Sequence, residues 1–359
     1  IQDIDCKYLS MKTVHIYIYI ILLVLTSCQS NENNDLNNNV YIDYQKIPLS
    51  EHIIGSAEGM HLVDSFLIIL DSKTDSLFHI INLKNMEWKE FGAKGQGPSE
   101  FLHPFHFHHQ ENGTLCVWDL FKSSMTTLYV NNIFKNKTLQ QQNILSINDD
   151  RSTFSSLPTK YNTFISQGAY EDGMFKLLDH KGNLIKCFFE YPHKNREEKN
   201  IPAKTRALTY QGQMMASPSL NKFCFACIYA PIINFYNIHK DSIELIKSNK
   251  KGYPNYIFEN ESAMISSHNK AAYSQIYTTS KYVYALYSGK NWDEYKKDFL
   301  KSQKIEVYNW HGELEKTYTT SIPLTLICVT SDDKMIYAIA DDPDPQLLVF
   351  ILPNNNKIQ

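Results

Sequence analysis

Short apolar runs of strand-like composition recur along the chain, and they group into sets of four. The first set has turn residues such as Asp64-Ser65 between its members, which are Gly59–Val63, Phe66–Asp71, Leu77–Leu83 and Trp88–Phe91. Repetition at a period of about 40–50 residues is typical of propellers and solenoids. The repeat therefore predicts an all-β chain in which one four-stranded unit follows another.

Six units can be counted in the sequence, and the last of them is one strand short. It offers Thr325–Thr330, Met335–Ala340 and Leu347–Leu352, whereas Val40–Tyr44 is a strand-like run without a unit of its own. A closed ring leaves no sheet edge exposed, so we expect Val40–Tyr44 to supply the missing outer strand. The prediction is one six-bladed β-propeller over residues 40–353. A pair of β-sandwiches would not explain why the surplus strand matches the deficit.

The composition agrees with strands and argues against some partners. The 23 tyrosines and 19 phenylalanines suit half-buried pleated surfaces. A formal net charge of -3 provides no basic field, so we expect no nucleic-acid partner. The seven cysteines have no regular spacing and do not indicate a disulfide framework.

The N-terminal segment has the pattern of a targeting sequence. Residues 1–10 fit neither a signal nor a domain, and we expect the true start to be Met11. Lys12 then provides a short positive region, and Val14–Leu25 provides an apolar region. This apolar region is shorter than the roughly 20 residues of a membrane-spanning helix, which favours a signal peptide.

The apolar region ends at Leu25-Thr26-Ser27-Cys28, which resembles a bacterial lipobox. The resemblance implies that residues 11–27 are a lipoprotein signal peptide and that Cys28 carries the lipid that anchors the chain to a membrane. A plain secretory peptide with an incidental cysteine is the alternative. Residues 28–39 are rich in asparagine and are expected to form a flexible tether, and residues 354–359 a polar tail.

A glycine-rich run joins the first unit to the second. Residues 91–101 read Phe-Gly-Ala-Lys-Gly-Gln-Gly-Pro-Ser-Glu-Phe, which resembles a signature of the TolB-like six-bladed propeller lipoproteins of Bacteroides-type bacteria. With the lipobox and the repeats, the resemblance covers Met11 to Pro353. It implies a propeller in the cell envelope, as an outer-membrane lipoprotein that faces the periplasm or the surface. It implies no particular activity.

The same run supplies candidate binding residues. Its glycines permit positive φ, and its backbone amides are able to converge on an anion, which is either a ligand or the side chain of Glu100. Gly95, Gln96, Gly97 and Glu100 are therefore candidates, with a purely structural loop as the alternative. A dinucleotide fingerprint is excluded, because the third glycine is missing and a strand follows.

Histidines are concentrated in His103–His109. On a strand His106 and His108 share one face, and neutral imidazoles facing the channel would bind a transition metal. His106 and His108 are therefore weak candidates for ligands of a channel-bound metal ion. The alternative is that they only pack in the channel or on the surface, and no other cofactor is predicted. Cys224 and Cys227 lie three residues apart on a strand, so they face opposite sides and are expected to be core cysteines.

The four-stranded unit also predicts which face of the disc would bind. Connections between units share a face with the loops between second and third strands, and the long connections all fall there. They are Phe91–Phe101, Tyr191–Arg206, Lys247–Lys270 and Gly289–Ser302. Long loops on a rigid scaffold are the usual place for binding residues. The candidates in these loops are Arg196, Arg206, Tyr253, Tyr256 and Trp292, and covering of the channel mouth is the alternative.

Two functions remain open from the sequence. A Gly-x-Ser-x-Gly motif, a P-loop and a His-Glu-x-x-His motif are all missing from the sequence. A rigid ring of this kind favours a non-catalytic binding or scaffold protein for an unknown envelope protein, or for a glycan or peptide ligand. The alternative is a channel-mouth, metal-dependent hydrolase or lyase of the lactonase-like propeller type, which is an analogy from the fold alone.

Replacement of the lipobox cysteine tests the anchor. Cys28→Ala removes the thiol that would carry lipid, so the protein should no longer incorporate a labelled fatty acid and should leave the membrane fraction. Metabolic labelling and cell fractionation measure both effects. Ser30→Ala is the control and should remain in the membrane fraction. Continued labelling of the Cys28→Ala protein would contradict the lipoprotein interpretation.

Overall fold

The computed structural model describes residues 39–49, 52–110, 113–136, 140–147, 152–341 and 343–353. The expectations for residues 1–38, which include Cys28 and nearly all of the tether, lie outside these residues, as does the tail at 354–359. Within the described residues, no helix has both the length and the apolar character needed to span a membrane.

Six antiparallel sheets of four or five strands follow one another along the described chain, one for each predicted unit. The strands of blade 1 are Ala57–Val63, Phe66–Asp71, Phe78–Asn82 and Glu87–Phe91. The strands of blade 2 are Pro104–Gln110, Thr114–Asp119, Ser124–Tyr129 and Gln141–Ser146. The strands of blade 3 are Thr153–Pro158, Phe164–Gly168, Phe175–Leu178 and Leu184–Phe188.

Blades 4 to 6 continue the same order. Blade 4 comprises Gly212–Ala216, Lys222–Cys227, Ile232–Ile238 and Ile243–Lys250. Blade 5 comprises Tyr273–Thr278, Tyr282–Tyr287, Ser302–Asn309 and Leu314–Leu324. Blade 6 takes Leu326–Val329, Met335–Asp341 and Pro345–Ile351 from this end of the chain.

Short elements lie in the connections between these strands. The helical segments are Val130–Asn132, Ile133–Asn136, Arg196–Lys199, Ala203–Thr209, Trp292–Tyr295 and Lys296–Asp298. Tyr256–Glu259 and Ser262–Ile265 form a separate hairpin, and Ala93–Lys94 pairs in parallel with Glu100–Phe101 in the glycine-rich run.

The first strand of each blade lies nearest the axis. These six strands contact one another in sequence around a circle, and the circle is completed because Leu326–Val329 of blade 6 contacts Ala57–Val63 of blade 1. Such an arrangement of radial sheets is a six-bladed β-propeller. The predicted fold class is confirmed.

The N-terminal segment provides the outer strand of blade 6. Tyr44–Lys46 pairs antiparallel with Pro345–Ile351, and Tyr44 lies opposite Phe350. The pairing with blade 6 therefore begins at Tyr44, at the end of the run Val40–Tyr44 that was expected to make it. Main-chain hydrogen bonds between the two ends of the described chain join the first blade to the last.

The beginning of the same segment belongs to the neighbouring blade. Asn39–Tyr41 lies beside Leu314–Leu324, the outer strand of blade 5, and makes that sheet five-stranded. The Ile42 N–H also donates to the Thr319 carbonyl at 3.0 Å. The N-terminal segment thus bonds to two adjacent blades, which the sequence did not predict.

The second strands form the core between blades. In blade 4, Cys224 packs in the apolar cluster shared with blade 5, whereas Cys227 packs in the cluster shared with blade 3. Both cysteines are fully buried. Burial raises the pKa of the Cys227 thiol to about 12, so it stays protonated. The expectation that the two cysteines face opposite sides of the sheet agrees with this packing.

Buried aspartates end the second strands of blades 1 and 2. The Asp71 carboxylate accepts the N–H groups of Gly55 at 2.6 Å, Ser56 at 3.0 Å and Lys73 at 3.0 Å. Burial alone would raise the pKa of Asp71, but the N–H groups of Lys73, Gly55 and Ser56 and the ring of His79 outweigh it and lower this pKa. The charged carboxylate therefore ties the segment that precedes the first strand to the turn after the second.

Asp119 repeats this arrangement in blade 2. Its carboxylate accepts four N–H groups at 2.7–3.1 Å, two from the segment before the first strand and two from the turn that follows. These donors are Leu102, His103, Phe121 and Lys122. Because Asp119 is only 1% exposed, water could not reach these N–H groups to replace the carboxylate if it were removed.

Replacement of Asp119 should therefore cost much stability. Asp119→Ala leaves four backbone donors without their acceptor, and we expect the free energy of unfolding to fall by about 3 kcal/mol or more. Urea denaturation measures this loss. Asp179→Ala is the matched control, because Asp179 also accepts backbone N–H groups but at a solvent-exposed turn where water replaces the carboxylate, and it should cost far less stability. Equal losses for the two variants would contradict the role of burial.

Candidate functional site

Two long connections on one face of the disc carry secondary structure of their own. The connection from blade 3 to blade 4 contains the helices Arg196–Lys199 and Ala203–Thr209, and the next connection contains the hairpin Tyr256–Glu259 with Ser262–Ile265. The sequence predicted only loops here, because such short elements show no clear periodicity. The helices and the hairpin lie on the face that was predicted to bind.

The helix Arg196–Lys199 is stabilised by hydrogen bonds at its N-terminus. The Asn195 side chain accepts the Glu198 N–H at 2.9 Å, as an N-cap residue does. The Glu198 carboxylate reaches back and accepts the N–H of Lys194. This reciprocal pattern resembles a capping box, so the spacing Asn195-x-x-Glu198 was a sequence signal for the helix.

Glu198 also joins the helix to the hairpin. Its side chain is 8% exposed, and one carboxylate oxygen accepts both the Tyr210 hydroxyl at 2.9 Å and the Tyr256 hydroxyl at 2.8 Å. Burial and then the adjacent Glu198 carboxylate raise the pKa of Tyr256 above its ordinary value. Tyr256 therefore remains a hydroxyl donor, and the two connections are held together by charge-assisted hydrogen bonds.

A cleft of about 580 Å³ opens between these connections. Its volume lies within the range of small-molecule and peptide-side-chain pockets, about 300–1,000 Å³. The apolar lining consists of Ile201, Tyr253, Pro254, Tyr256 and Phe258. The polar lining consists of Lys194, Asn195, Glu197, Glu198, Asn200 and Asn255. We name this site the loop-face cleft.

The predicted binding residues divide around the loop-face cleft. Tyr253 and Tyr256 line it, and Arg196 is exposed on the adjoining helix but outside the lining. Arg206 is only 5% exposed, and its guanidinium donates to the carbonyls of Tyr191 at 2.8 Å and Ile201 at 3.2 Å. The expectation that Arg206 meets a ligand is corrected, because its donors already hold the connection in place.

Trp292 lies apart from the cleft on the Trp292–Tyr295 helix. It is 47% exposed, and its ring packs edge-on against Phe299 at a centroid distance of 5.3 Å. The structure does not bring Trp292 together with Tyr253 and Tyr256, since none of the cleft lining comes from this connection.

The glycine-rich run is closed by its own carboxylate. The Gly97 N–H donates to Glu100 at 2.8 Å, and a Cβ atom at Gly95 would collide with that carboxylate. Lys122 donates to the carbonyls of Gly97 at 2.9 Å and Glu100 at 2.6 Å. Gln96 lines a neighbouring cleft of about 460 Å³. The Gly97 amide thus meets a carboxylate of the same run, whereas the Gly95 N–H donates to the Phe101 carbonyl at 3.0 Å, so the expected convergence of several amides on one anion is reduced to a single contact.

His106 and His108 face the interior between two blades. On the neighbouring strand, His106 lies opposite Trp118 and His108 lies opposite Cys116, so each pair of side chains shares a face of the sheet. Trp118 and Cys116 pack in the cluster between blades 2 and 3. The expectation that this pair faces the channel is therefore corrected. Burial lowers the pKa of His106 to about 4, and burial with the nearby His106 lowers that of His108 to about 3. In the described part of the chain, no three His, Cys, Asp or Glu side chains are placed to hold a metal ion.

The axis is filled by a different histidine. His61 of blade 1 is 1% exposed, and its ring lies 5.2 Å from Tyr277 and 5.9 Å from His109 between centroids. Tyr277 reaches across from blade 5 and accepts the Leu62 N–H at 3.4 Å. A pocket of about 280 Å³, lined in part by His109 and Tyr277, opens beside them on the face of the disc that lies opposite to the loop-face cleft. Sequence reasoning did not single out His61, because an isolated histidine carries no motif.

The buried histidines make stability depend on pH. Burial keeps the folded-state pKa of His61, His106 and His108 below the unfolded value of about 6.5, so the unfolded chain binds more protons in acid. The contribution of these neutral histidines to stability is present above about pH 6.5. Below that pH the free energy of unfolding should fall, by about 1.4 kcal/mol per pH unit for each histidine between pH 6 and 5. Urea denaturation at several pH values measures this slope.

His108→Leu provides the control for this dependence. The variant removes one titrating group from the interior, so the slope between pH 6 and 5 should decrease by about 1.4 kcal/mol per pH unit. An unchanged slope would show that His108 does not remain neutral in the folded state.

Comparisons with known proteins agree with this architecture. A family model described as "TolB-like 6-blade propeller-like" matches residues 15–332. No curated protein is significantly similar to the chain. One similar solved structure is a candidate exported protein from Bacteroides fragilis NCTC 9343, with a TM-score of 0.54 and 14% identity over 91% of this chain and 98% of that chain.

A second similar structure is a member of the DUF4221 family from Bacteroides vulgatus ATCC 8482. Its TM-score is 0.54, with 12% identity over 87% of this chain and 96% of that chain. At such low identity both likenesses show the fold alone. The family model, in contrast, spans most of the sequence, from the N-terminal apolar run into blade 6. The chain therefore belongs to the TolB-like six-bladed propeller family.

Proposed function

We propose that this protein is an exported, lipid-anchored binding protein that holds an envelope protein, a glycan or a peptide in the loop-face cleft without catalysing a reaction on it. The observation that carries the proposal is the cleft itself, which combines aromatic walls with amide side chains on the long-loop face of the ring. Concave sites with a mostly apolar lining and a few oriented polar groups are typical of ligand binding.

Rigidity supports this proposal. Glu198 holds the helix wall to Tyr210 and to Tyr256 of the hairpin wall, with hydrogen bonds of 2.8–2.9 Å. A site whose walls are fixed before binding loses less conformational entropy when the ligand arrives. The propeller also limits the conformational freedom of the cleft, since its six packed blades fix the ends of the connections that form it.

The lining is suited to a ligand with both apolar and hydrogen-bonding groups. Tyr253 and Phe258 present rings, and Phe258 is 39% exposed. The amides of Asn200 and Asn255 supply donors and acceptors beside them. Aromatic side chains of this kind dominate the binding energy of many interfaces, whereas adaptable amides provide specificity.

The proposed location rests on the N-terminal sequence. Leu25-Thr26-Ser27-Cys28 favours a lipid anchor, and residues 28–39 would let the ring stand away from the membrane surface. The similar Bacteroides fragilis protein is described as a candidate exported protein, which agrees with an envelope location. We place the protein at the outer membrane, facing the periplasm or the surface.

Substitution in the cleft tests the proposed function. The double variant Tyr253→Ala with Phe258→Ala removes two rings from the lining while it leaves the Glu198 hydrogen bonds in place. We expect recovery of the partner from envelope extracts to fall at least tenfold, because each buried aromatic contributes on the order of 1–3 kcal/mol at an interface. Quantitative pull-down with the full-length protein measures the loss.

Phe121→Ala is the matched control for this experiment. Phe121 is 69% exposed and lies outside the cleft lining, so its removal should leave recovery unchanged. If the double variant and Phe121→Ala recover the same partners in the same amounts as the natural protein, the loop-face cleft is not the binding site.

A further inference from the structure

The hairpin beside the cleft has a strand without a second neighbour. Tyr256–Glu259 pairs with Ser262–Ile265, and no other strand in the described ranges lies beside either of them. The helix Ala203–Thr209 contacts Ser262–Ile265, so the partner strand is the covered one. The edge of Tyr256–Glu259 is therefore the open edge of this small sheet.

The turn of the hairpin fixes where its backbone groups point. Asn260 and Glu261 have φ values of 51° and 62°, and they form a two-residue turn of the kind that closes tight hairpins. In such a hairpin the residues that flank the turn, Glu259 and Ser262, exchange hydrogen bonds with each other. The hydrogen-bonded pairs then alternate along the two strands.

This alternation leaves two residues of the edge strand with outward backbone groups. Ile257 and Met264 form the next hydrogen-bonded pair, whereas Phe258 and Ala263 face each other without such bonds. The N–H and C=O groups of Phe258, and in the same way those of Tyr256, point toward the open edge. Among the described residues, no hydrogen bond from another element reaches these groups.

The edge strand lacks the usual protection against pairing. Solvent-exposed edges are commonly blocked by lysine, proline or a bulge, but the sequence Tyr-Ile-Phe-Glu has no lysine or proline and its register is regular. Ile257 is 50% exposed and Phe258 is 39% exposed. An unprotected edge with exposed apolar side chains is a template for another strand.

The loop-face cleft runs along this strand. Its lining includes Tyr253, Tyr256 and Phe258 on the hairpin side and Lys194, Asn195, Glu197, Glu198, Asn200 and Ile201 on the helix side. The cleft volume of about 580 Å³ suits a short segment of one extended chain, whereas the broad sheet of a second propeller would not fit between the hairpin and the helix.

We propose that the loop-face cleft binds an extended polypeptide segment of a partner protein, which adds as a strand to the open edge of Tyr256–Glu259. This inference rests on the proposed function and names its ligand class. Strand addition supplies affinity through main-chain hydrogen bonds to Tyr256 and Phe258, and it requires no particular sequence for those bonds.

Side chains of the added strand would provide the selectivity. Successive residues of a strand point to opposite faces, so alternate residues of the peptide lie on the same face as Tyr256 and Phe258. That face carries the apolar side chains of Ile201 and Tyr253. The segment that fits is thus extended, with apolar residues at alternate positions.

A peptide library tests this inference directly. Phage-displayed random decapeptides are panned against the detergent-solubilised full-length protein, and the selected peptides are synthesised with single N-methyl groups along the backbone. We expect binding to fall at least tenfold when every second nitrogen is methylated and to change little at the positions between. Such a period of two reports hydrogen bonding along one edge of a strand.

Two substitutions at one position separate the backbone from the side chain. Phe258→Ala keeps the outward N–H, whereas Phe258→Pro removes it at an edge position that a hairpin tolerates. We expect the proline variant to bind the selected peptides at least tenfold more weakly than the alanine variant. Urea denaturation of both variants shows whether the propeller remains folded.

Other outcomes distinguish this inference from the proposed function. A glycan array is probed in parallel with the natural protein and with the double variant Tyr253→Ala and Phe258→Ala. Cleft-dependent binding of glycans without peptide binding would overturn strand addition and leave the proposed function standing. Peptide binding without the period of two, or dimerisation through the hairpin in light scattering, would also overturn strand addition. Failure of peptides, glycans and the envelope pull-down together would overturn both.

Discussion

The architecture depends on main-chain hydrogen bonds between the two ends of the propeller. Tyr44–Lys46 pairs with Pro345–Ile351, and this pairing gives blade 6 its outer strand. Without it, the first and last blades would be joined only by side-chain packing, and two sheet edges would be open to solvent. The neighbouring contact of Asn39–Tyr41 with blade 5 extends the same segment over two blades. Every surface that the connections form is positioned by a ring that is closed in this way.

Buried carboxylates perform the corresponding role within the connections. Asp71 and Asp119 each collect backbone N–H groups from two segments of one blade, and Glu198 collects an N–H and two tyrosine hydroxyls from three elements of the loop face. In each case a charge that is costly to bury is stabilised by several donors. The result is that irregular chain is fixed by several hydrogen bonds to one carboxylate, which lets long connections form a defined cleft.

The sequence predicted the six blades because alternation and turn residues recur in every unit. It placed Tyr253 and Tyr256 in the connections that form the loop-face cleft, since the parity of four antiparallel strands determines where connections emerge. It did not predict the burial of Arg206, because the carbonyls that receive its guanidinium come from residues brought near only by folding. The direction of His106 and His108 was wrong for a similar reason. The alternation of side chains along a strand puts both histidines on one face of the sheet. Whether that face meets the channel or a neighbouring blade depends on how the blades pack, which the sequence does not show.

Tyr277 and His61 meet near the axis with the ring of His109 beside them, so side chains from blades 1, 2 and 5 converge at the inner strands. The pocket lined in part by His109 and the cleft beside Glu198 lie on opposite faces of this ring, because the turns between first and second strands emerge opposite to the connections between blades. A ligand on one face therefore lies too far from the other site to touch it. Coupling between the two sites would require movement of the blades themselves, and close packing between blades opposes that movement.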